Sequence, residues 1–347
     1  MAVPDILRPI LGFHLYRFIL RPFLFLLSPE SAQAMAGFAL RIRPLWQVHR
    51  IMTRVDSKSL TTPMGGFEVS NPIGLAAGFD KNLEFLNSLA DMGFGYLVCG
   101  TITLEPRNGN PKPRLLRNVK RNSLINSLGF PGQGLNSAVS RLTAYTHSGY
   151  VTPVIVSIAA LNEQDTLYCH ETLQPMCSAI ELNISSPNTE GVRVYQSENN
   201  LKHLLEKLND SRSKPLFVKL PPWSDDASRE QVLSLVKACK ETGVTGVTVF
   251  NSLPVNCPDL AIGKGGLSGK PLFEDMIDSL PLIRSELGSK AIINACGGIS
   301  SSNDVISAID AGANSVQIYT SIIFEGPGLV NSIIRDLDTY LTEARNG

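Results

Sequence analysis

From Asn71 onward, continuous apolar runs alternate with stretches whose apolar positions recur every three or four residues. The apolar, β-rich runs are NPIGLAAG (71–78), GYLVCGT (95–101), PVIVSI (153–158), AIELNI (179–184), PLFVKL (215–220), GVTVF (246–250), AIINA (291–295) and SVQIY (315–319). Amphipathic helical patterns separate most of them: NLEFLNSLADMG, SENNLKHLLEKLND, SREQVLSLVKACKETG, FEDMIDSLPLIRSELG and SNDVISAIDAG. Buried strands joined by helical crossovers predict a parallel sheet covered on both faces. Eight such repeats predict an α/β fold, a closed (β/α)₈ TIM barrel rather than an open sheet. The interval 102–152 is too long for one connection, so it is expected to carry an insertion over the barrel mouth.

The first 55 residues follow another pattern. ILRPILGFHLYRFILRPFLFLLSP is apolar and aromatic, but Arg8, Arg17, Arg21, Pro9 and Pro22 interrupt it. Its longest uncharged piece, Pro22 to Pro29, falls far short of the ~20 residues that a spanning helix needs. No small-residue cleavage site follows, so a cleaved signal peptide fits poorly. Arg and His mixed with Phe, Leu and Tyr predict a pair of short amphipathic helices lying at a membrane surface. The alternative is a helical cap packed on the barrel. The chain therefore divides into a small N-terminal helical extension, 1–55, and a barrel, 56–347.

Composition narrows the chemistry. Lys+Arg and Asp+Glu both count 31, which removes any general electrostatic case for nucleic acid. Hydrophobic residues make up 43% of the chain, enough for a large core. The six cysteines are scattered with no CxxC pair, which argues against a zinc site and for reduced, buried thiols in a cytosolic setting.

In a barrel of this kind, chemistry collects at the C-terminal ends of the strands. Those ends carry Lys81, Gly100-Thr101, the group Asn183, Ser185, Ser186 and Asn188, then Lys219, Asn251-Ser252, Gly297-Gly298 and Tyr319-Thr320-Ser321. Clustered carboxamides and hydroxyls suit a planar polar ligand held by several neutral hydrogen bonds. The glycine stretches GKGGLSGKPL (263–272) and ACGGI (295–299) sit where such barrels bind phosphate, near the last loops. A lysine buried at a strand end is costly without a partner, so Lys219 calls for an electron-rich group such as the edge of a flavin ring.

With these residues in place, NPIGLAAGFDKN, GTITLEPRNGNPKPRLLR, NSLGFPGQG, ELNISSPNT, GGLSGKPL and YTSIIFEGPG together resemble the dihydroorotate dehydrogenase family. The resemblance runs from about residue 14 to near the C-terminus and is closest to the quinone-linked, membrane-associated class, because Ser186 stands where the soluble enzymes have a cysteine base. It implies FMN as cofactor, dihydroorotate and orotate as substrate and product, and a membrane quinone as acceptor. It implies a peripheral protein on a membrane surface, the cytoplasmic face of the inner membrane if bacterial. Carried over by position, Ser186 is the base, with Thr189 and Phe130 supporting it. Lys81, Asn126, Asn183, Asn188, Asn251 and Ser252 hold the substrate. Ala77, Gly78, Lys81, Thr101, Ser157, Lys219, Gly266, Gly269, Gly298, Tyr319 and Thr320 hold FMN, with Gly266, Gly298, Tyr319 and Thr320 at its phosphate. Arg117 belongs to the quinone tunnel, and no metal is implied.

The departures from the family pattern cluster around the flavin. Ser157 and Ala160 replace an asparagine and a lysine, Phe250 stands where a threonine is usual, Ser127 where an arginine is common, and KLPPW replaces a Lys-Ile-Ala-Pro pattern. Two alternatives stay open on the sequence. One is an FMN-dependent paralogue acting on another dihydropyrimidine or an enone-like ring. The other is a catalytically silent barrel that binds FMN or a phosphate ligand.

Overall fold

The computed structural model describes residues 15–187 and 189–346. Eight parallel strands close into a barrel: β1 (Ile73–Leu75), β2 (Tyr96–Ile102), β3 (Val154–Ala159), β4 (Ala179–Asn183), β5 (Leu216–Lys219), β6 (Gly246–Val249), β7 (Ile292–Cys296) and β8 (Ser315–Ile318). Each pairs with its neighbours in chain order, and β8 pairs with β1 to close the ring. Every strand coincides with an apolar run predicted for it, three of them (ending at Ile102, Ala159 and Cys296) extending one residue past its end. The runs are continuous rather than alternating because both faces are buried, one against helices and one inside the barrel. Local signals set the helix starts. Asp225 accepts from Ser228 N at 2.8 Å at the head of Asp226–Glu241, and Asn162 accepts from Asp165 N at 2.9 Å before Glu163–Leu173.

The lower end of the barrel is plugged. A short antiparallel hairpin, Thr62–Pro63 with Glu68–Val69, brings Met64 and Val69 against Tyr96, Ile155, Ala179, Phe217 and Ile292. All of these residues are buried. The Tyr96 ring lies directly across Gly74 of β1, where a Cβ would run into it.

The expected insertion covers the other end and is built from two distant pieces of chain. Leu115–Asn118 pairs with Ser123–Asn126, both from the interval after β2; Ser123–Asn126 pairs with Lys264–Gly269, which pairs in turn with Leu253–Asn256, both from the excursion after β6. The glycine stretch 263–272, read as a loop, is thus largely a strand. Its glycines are needed for close backbone approach: a Cβ on Gly265 would meet Asn126 O at 2.8 Å.

The N-terminal extension has more pieces than the predicted pair of helices. A wide turn, Tyr16–Leu20, runs into the helix Arg21–Leu26, followed by the helices Pro29–Arg41 and Arg43–Thr53. Pro29 and Pro44 each begin a new helix, since a proline is tolerated only in the first turn. Residues 1–14, including Arg8 and Pro9, lie outside the described residues. One side of the extension meets the barrel: Leu40 and Trp46 are buried, Arg21 Nη1 donates to Phe324 O at 2.8 Å, and Glu30 is paired with Arg114 and Lys112 at 2.8 and 2.9 Å. The other side leaves Phe18, Phe23, Leu26, Phe38 and Ile51 each at least 65% exposed. One side of the segment thus packs on the barrel, while the other presents apolar side chains to the outside.

The Gly74–Tyr96 contact gives a stability test. Gly74→Ala is expected to lower unfolding free energy by about 1–3 kcal/mol, the usual cost of overpacking a filled core. A urea midpoint equal to that of the wild type would show that the Tyr96 ring yields freely.

Candidate active site

The strand ends and the mouth sheet enclose one cavity of about 380 Å³, within the range of small-molecule sites. Its wall includes Lys81, Asn126, Asn183, Ser186, Lys219 and Asn251 at one end and Gly269, Gly298, Tyr319 and Thr320 at the other. It also reaches Arg17 and Phe324, beneath the N-terminal extension. Residues spread over more than 240 positions of sequence meet here because barrel closure makes all eight strand ends neighbours.

The carboxamides are held by one another through a serine. Asn183 Nδ2 donates to Thr101 Oγ1 at 3.0 Å, and Asn183 Oδ1 accepts from Ser185 N and Oγ at 3.1 and 3.0 Å. Asn251 Nδ2 donates to Ser185 Oγ at 3.0 Å, while Asn251 Oδ1 accepts from Ser252 N at 2.7 Å. Ser185 is therefore the joint between the β4 and β6 ends. It was singled out in the sequence only as a strand-end residue, because nothing in the linear order pairs it with Asn251. Asn126 Nδ2 donates to Gly266 O at 3.4 Å across the mouth sheet. Asn188 lies outside the described residues.

Ser186, almost fully buried, places Oγ 3.3 Å from Thr189 Oγ1. Phe130 lines the same cavity with φ +57°, a left-handed conformation rare for an aromatic residue. Lys81 Nζ donates to Gly78 O at 2.7 Å. Burial pushes its ammonium down to about 8, against the pull of the neighbouring Asp80. Asp80 itself is pushed up to about 6 by burial, while the Phe85 and Glu84 amides that it accepts at 2.8 Å oppose the shift.

At the far end, Gly269 and Gly298 adopt φ +101° and +72°. The helix Thr320–Glu325 starts beside them, and Thr320 Oγ1 lies 3.0 Å from Ser268 Oγ. A Cβ on Gly298 would lie 2.7 Å from Phe273 N, at the head of the helix Phe273–Leu287. The glycine is thus required by helix packing as well as by its φ. Backbone amides at such an end attract an anion. Two sequence-predicted cofactor residues fall elsewhere. Gly266 packs against Ser252 and accepts from Asn126, which puts it at the carboxamide end and not in a phosphate loop. Ser157 is fully buried below the wall, 3.1 Å from Thr101 Oγ1, so it supports Thr101.

Lys219 is 4% exposed, lines the cavity, and has no hydrogen-bond or ion-pair partner among the described residues. A buried ammonium left open toward a cavity, with anion-binding backbone at the far end, fits a planar cofactor that carries a phosphate, as FMN does. Two of the departures from the family pattern meet here. Phe250 lines the cavity and packs edge-on against Trp223, the last residue of KLPPW, with centroids 5.0 Å apart. Arg117, on the mouth sheet, stacks 4.0 Å above the Phe25 ring and donates to Phe25 O at 3.3 Å. It thereby ties the mouth sheet to the helix Arg21–Leu26.

Residues 59–341 match the family model described as dihydroorotate dehydrogenase. The chain belongs to the dihydroorotate dehydrogenase family. Relatives named dihydroorotate dehydrogenase (quinone) place it on the quinone-linked side. The protein from Sulfurimonas denitrificans is 35% identical over 92% of each chain. The protein from Coxiella burnetii is 34% identical over 96% of this chain and 99% of its own. The ligand-free crystal structure of DHODH from Eimeria tenella superposes with a TM-score of 0.81 at 29% identity, covering 91% of this chain and 96% of that one. The same enzyme in complex with ferulenol gives 0.80 at 28%. The dihydroorotate dehydrogenase resemblance read from the motifs is thus borne out over nearly the whole chain.

Ser185→Ala is expected to strip one partner from both Asn183 and Asn251. Buried polar groups left unpaired cost about 1–3 kcal/mol, read as a lower urea midpoint at unchanged slope. An unshifted midpoint would mean that the two asparagines do not depend on Ser185.

Proposed function

We infer that this chain oxidises dihydroorotate to orotate, with FMN as the immediate acceptor and a membrane quinone as the final one, a step of pyrimidine synthesis. The observation that carries the reading is the convergence in one cavity of the carboxamide network, Ser186 and the unpartnered Lys219. FMN, when bound, supplies the redox chemistry by accepting the hydride from C6 of the substrate.

The rest is the work of side chains. Asn183 and Asn251, each fixed on two sides, present donors and acceptors in set directions to an amide-like ring. Lys81 supplies a positive charge for the substrate carboxylate, with Asn126 and Ser252 completing the site. Ser186 takes the proton from C5. A hydroxyl is a poor base unless its own proton can leave, and Thr189 Oγ1 at 3.3 Å gives that proton a route. Phe130 and the mouth sheet keep bulk water from the reacting carbon. Gly269, Gly298, Tyr319 and Thr320 hold the phosphate, and Lys219 faces the ring edge.

We place the chain at a membrane surface as a peripheral protein, on the cytoplasmic face of the inner membrane in a bacterium. No helix among the described residues is long and apolar enough to cross a membrane. The exposed side of residues 15–53 is apolar and stands over the cavity end near Arg17 and Arg117. A long-chain quinone entering from lipid would meet that end first.

Ser186→Ala is expected to keep FMN but to slow anaerobic flavin reduction by dihydroorotate about 10²–10⁴-fold, the usual worth of a positioned base. A rate near that of the wild type would transfer the role to another group. Phe23→Asp with Leu26→Asp should abolish co-sedimentation with phospholipid vesicles and slow reoxidation by a long-chain quinone. Flavin reduction should stay unchanged, because these side chains are remote from Ser186. Undiminished vesicle binding would remove the membrane reading of this face.

A further inference from the structure

Below the cavity the barrel interior is polar, which a packed barrel does not require. Glu181 of β4 is 1% exposed, and its Oε2 accepts from Thr248 Oγ1 of β6 at 2.8 Å. Its Oε1 has no hydrogen-bond partner among the described residues, and neither do Gln317 Oε1 and Asn294 Nδ2 on β8 and β7. Gln317 Nε2 lies 3.5 Å from the same Thr248 hydroxyl. Tyr96 of β2 lies 2.8 Å from Ser315 Oγ, which donates to Asn294 Oδ1 at 2.7 Å.

Thr248 is also the register partner of Lys219 on the adjacent strand. Glu181, whose own register partner on β5 is Phe217, stands two positions below the level of Lys219, with Thr248 level with the lysine and bonded to the carboxylate. Cys296 of β7 feels both charges, Lys219 drawing its thiol down and Glu181 pushing it up, with burial the larger effect. The Tyr96 phenol is raised mainly by burial and further by Glu181. Among the titratable groups around this interior, Tyr96, Cys296, Glu181 and Lys219, the lysine is the one basic side chain and the glutamate the one carboxyl. Each is nearly inaccessible to water, and neither makes an ion pair among the described residues.

We propose that Glu181 is a positioning residue of the reaction: the buried counter-charge of Lys219, which holds the ammonium at the cavity floor and lowers the electron affinity of the cofactor seated above. Two expectations separate this from a carboxylate that merely fills space. Removing one member of a buried charge pair leaves the other uncompensated and is worse than removing both. Electrons added near a buried anion are added against its field, so its neutralisation must raise the potential of the cofactor.

The test has two parts, and the second rests on the FMN reading. In apoprotein, urea unfolding of Glu181→Gln, Lys219→Met and the double variant forms a double-mutant cycle. Each single change is expected to shift the unfolding equilibrium at least tenfold toward the unfolded state, and the double change by less than the product. In holoprotein, Glu181→Gln should favour reduction of bound FMN about tenfold, which is about 30 mV for a two-electron couple. Additive losses in the cycle, or an unmoved potential in a fully yellow Glu181→Gln protein, would overturn the pairing. Should Glu181→Gln fail to fold, the proposal requires the double variant to fold, and its failure would equally sink it. Wild-type protein that never retains FMN would count against the proposed function, while the apoprotein cycle still decides the pair.

Discussion

Burying an ammonium costs several kcal/mol unless an acceptor or an anion meets it, and Lys219 is buried at the end of β5 with no such partner in contact among the described residues. Much of the surrounding architecture answers that one charge. The strand ends leave a cavity directly on it, the far wall offers backbone amides to a phosphate, and a carboxylate lies a layer below. A barrel filled only with valine and leucine would be easier to stabilise, but it would leave no reason for an electron-accepting ring to dock.

The roof of that cavity imposes a second constraint. The mouth sheet takes two strands from the segment after β2 and two from the segment after β6. Folding it therefore requires the barrel to be largely closed, since β2 and β6 are distant in the chain. Asn126 and Gly266 sit face to face in this sheet, and Ser252 packs against Gly266. The substrate end of the site is thus shaped by the same hydrogen-bonded ladder that covers it. The same economy holds at the front of the molecule, where the extension carries buried Leu40 and Trp46 on one side and exposed Phe23 and Leu26 on the other. A segment of this kind keeps its exposed side apolar at a cost in solubility.

The order of residues along the chain determined a good deal by itself. Eight apolar runs separated by helical periods called for a parallel sheet covered on both faces, and their number favoured a closed barrel over an open sheet. Strand-end position then marked Lys81, Asn183, Ser186, Lys219 and Asn251, since in a closed barrel that position and the cavity are nearly the same thing. The motifs carried the family. The tertiary structure decided what depends on distance across the ring. It made Ser185 the joint between Asn183 and Asn251, moved Gly266 and Ser157 off the wall where the motifs had put them, packed Phe250 against Trp223, and set Glu181 beneath Lys219. Periodicity records which face of an element is buried, but it holds no information about which buried side chains of different strands point at one another. That is fixed by barrel register and closure, where residues dozens of positions apart come within hydrogen-bond reach.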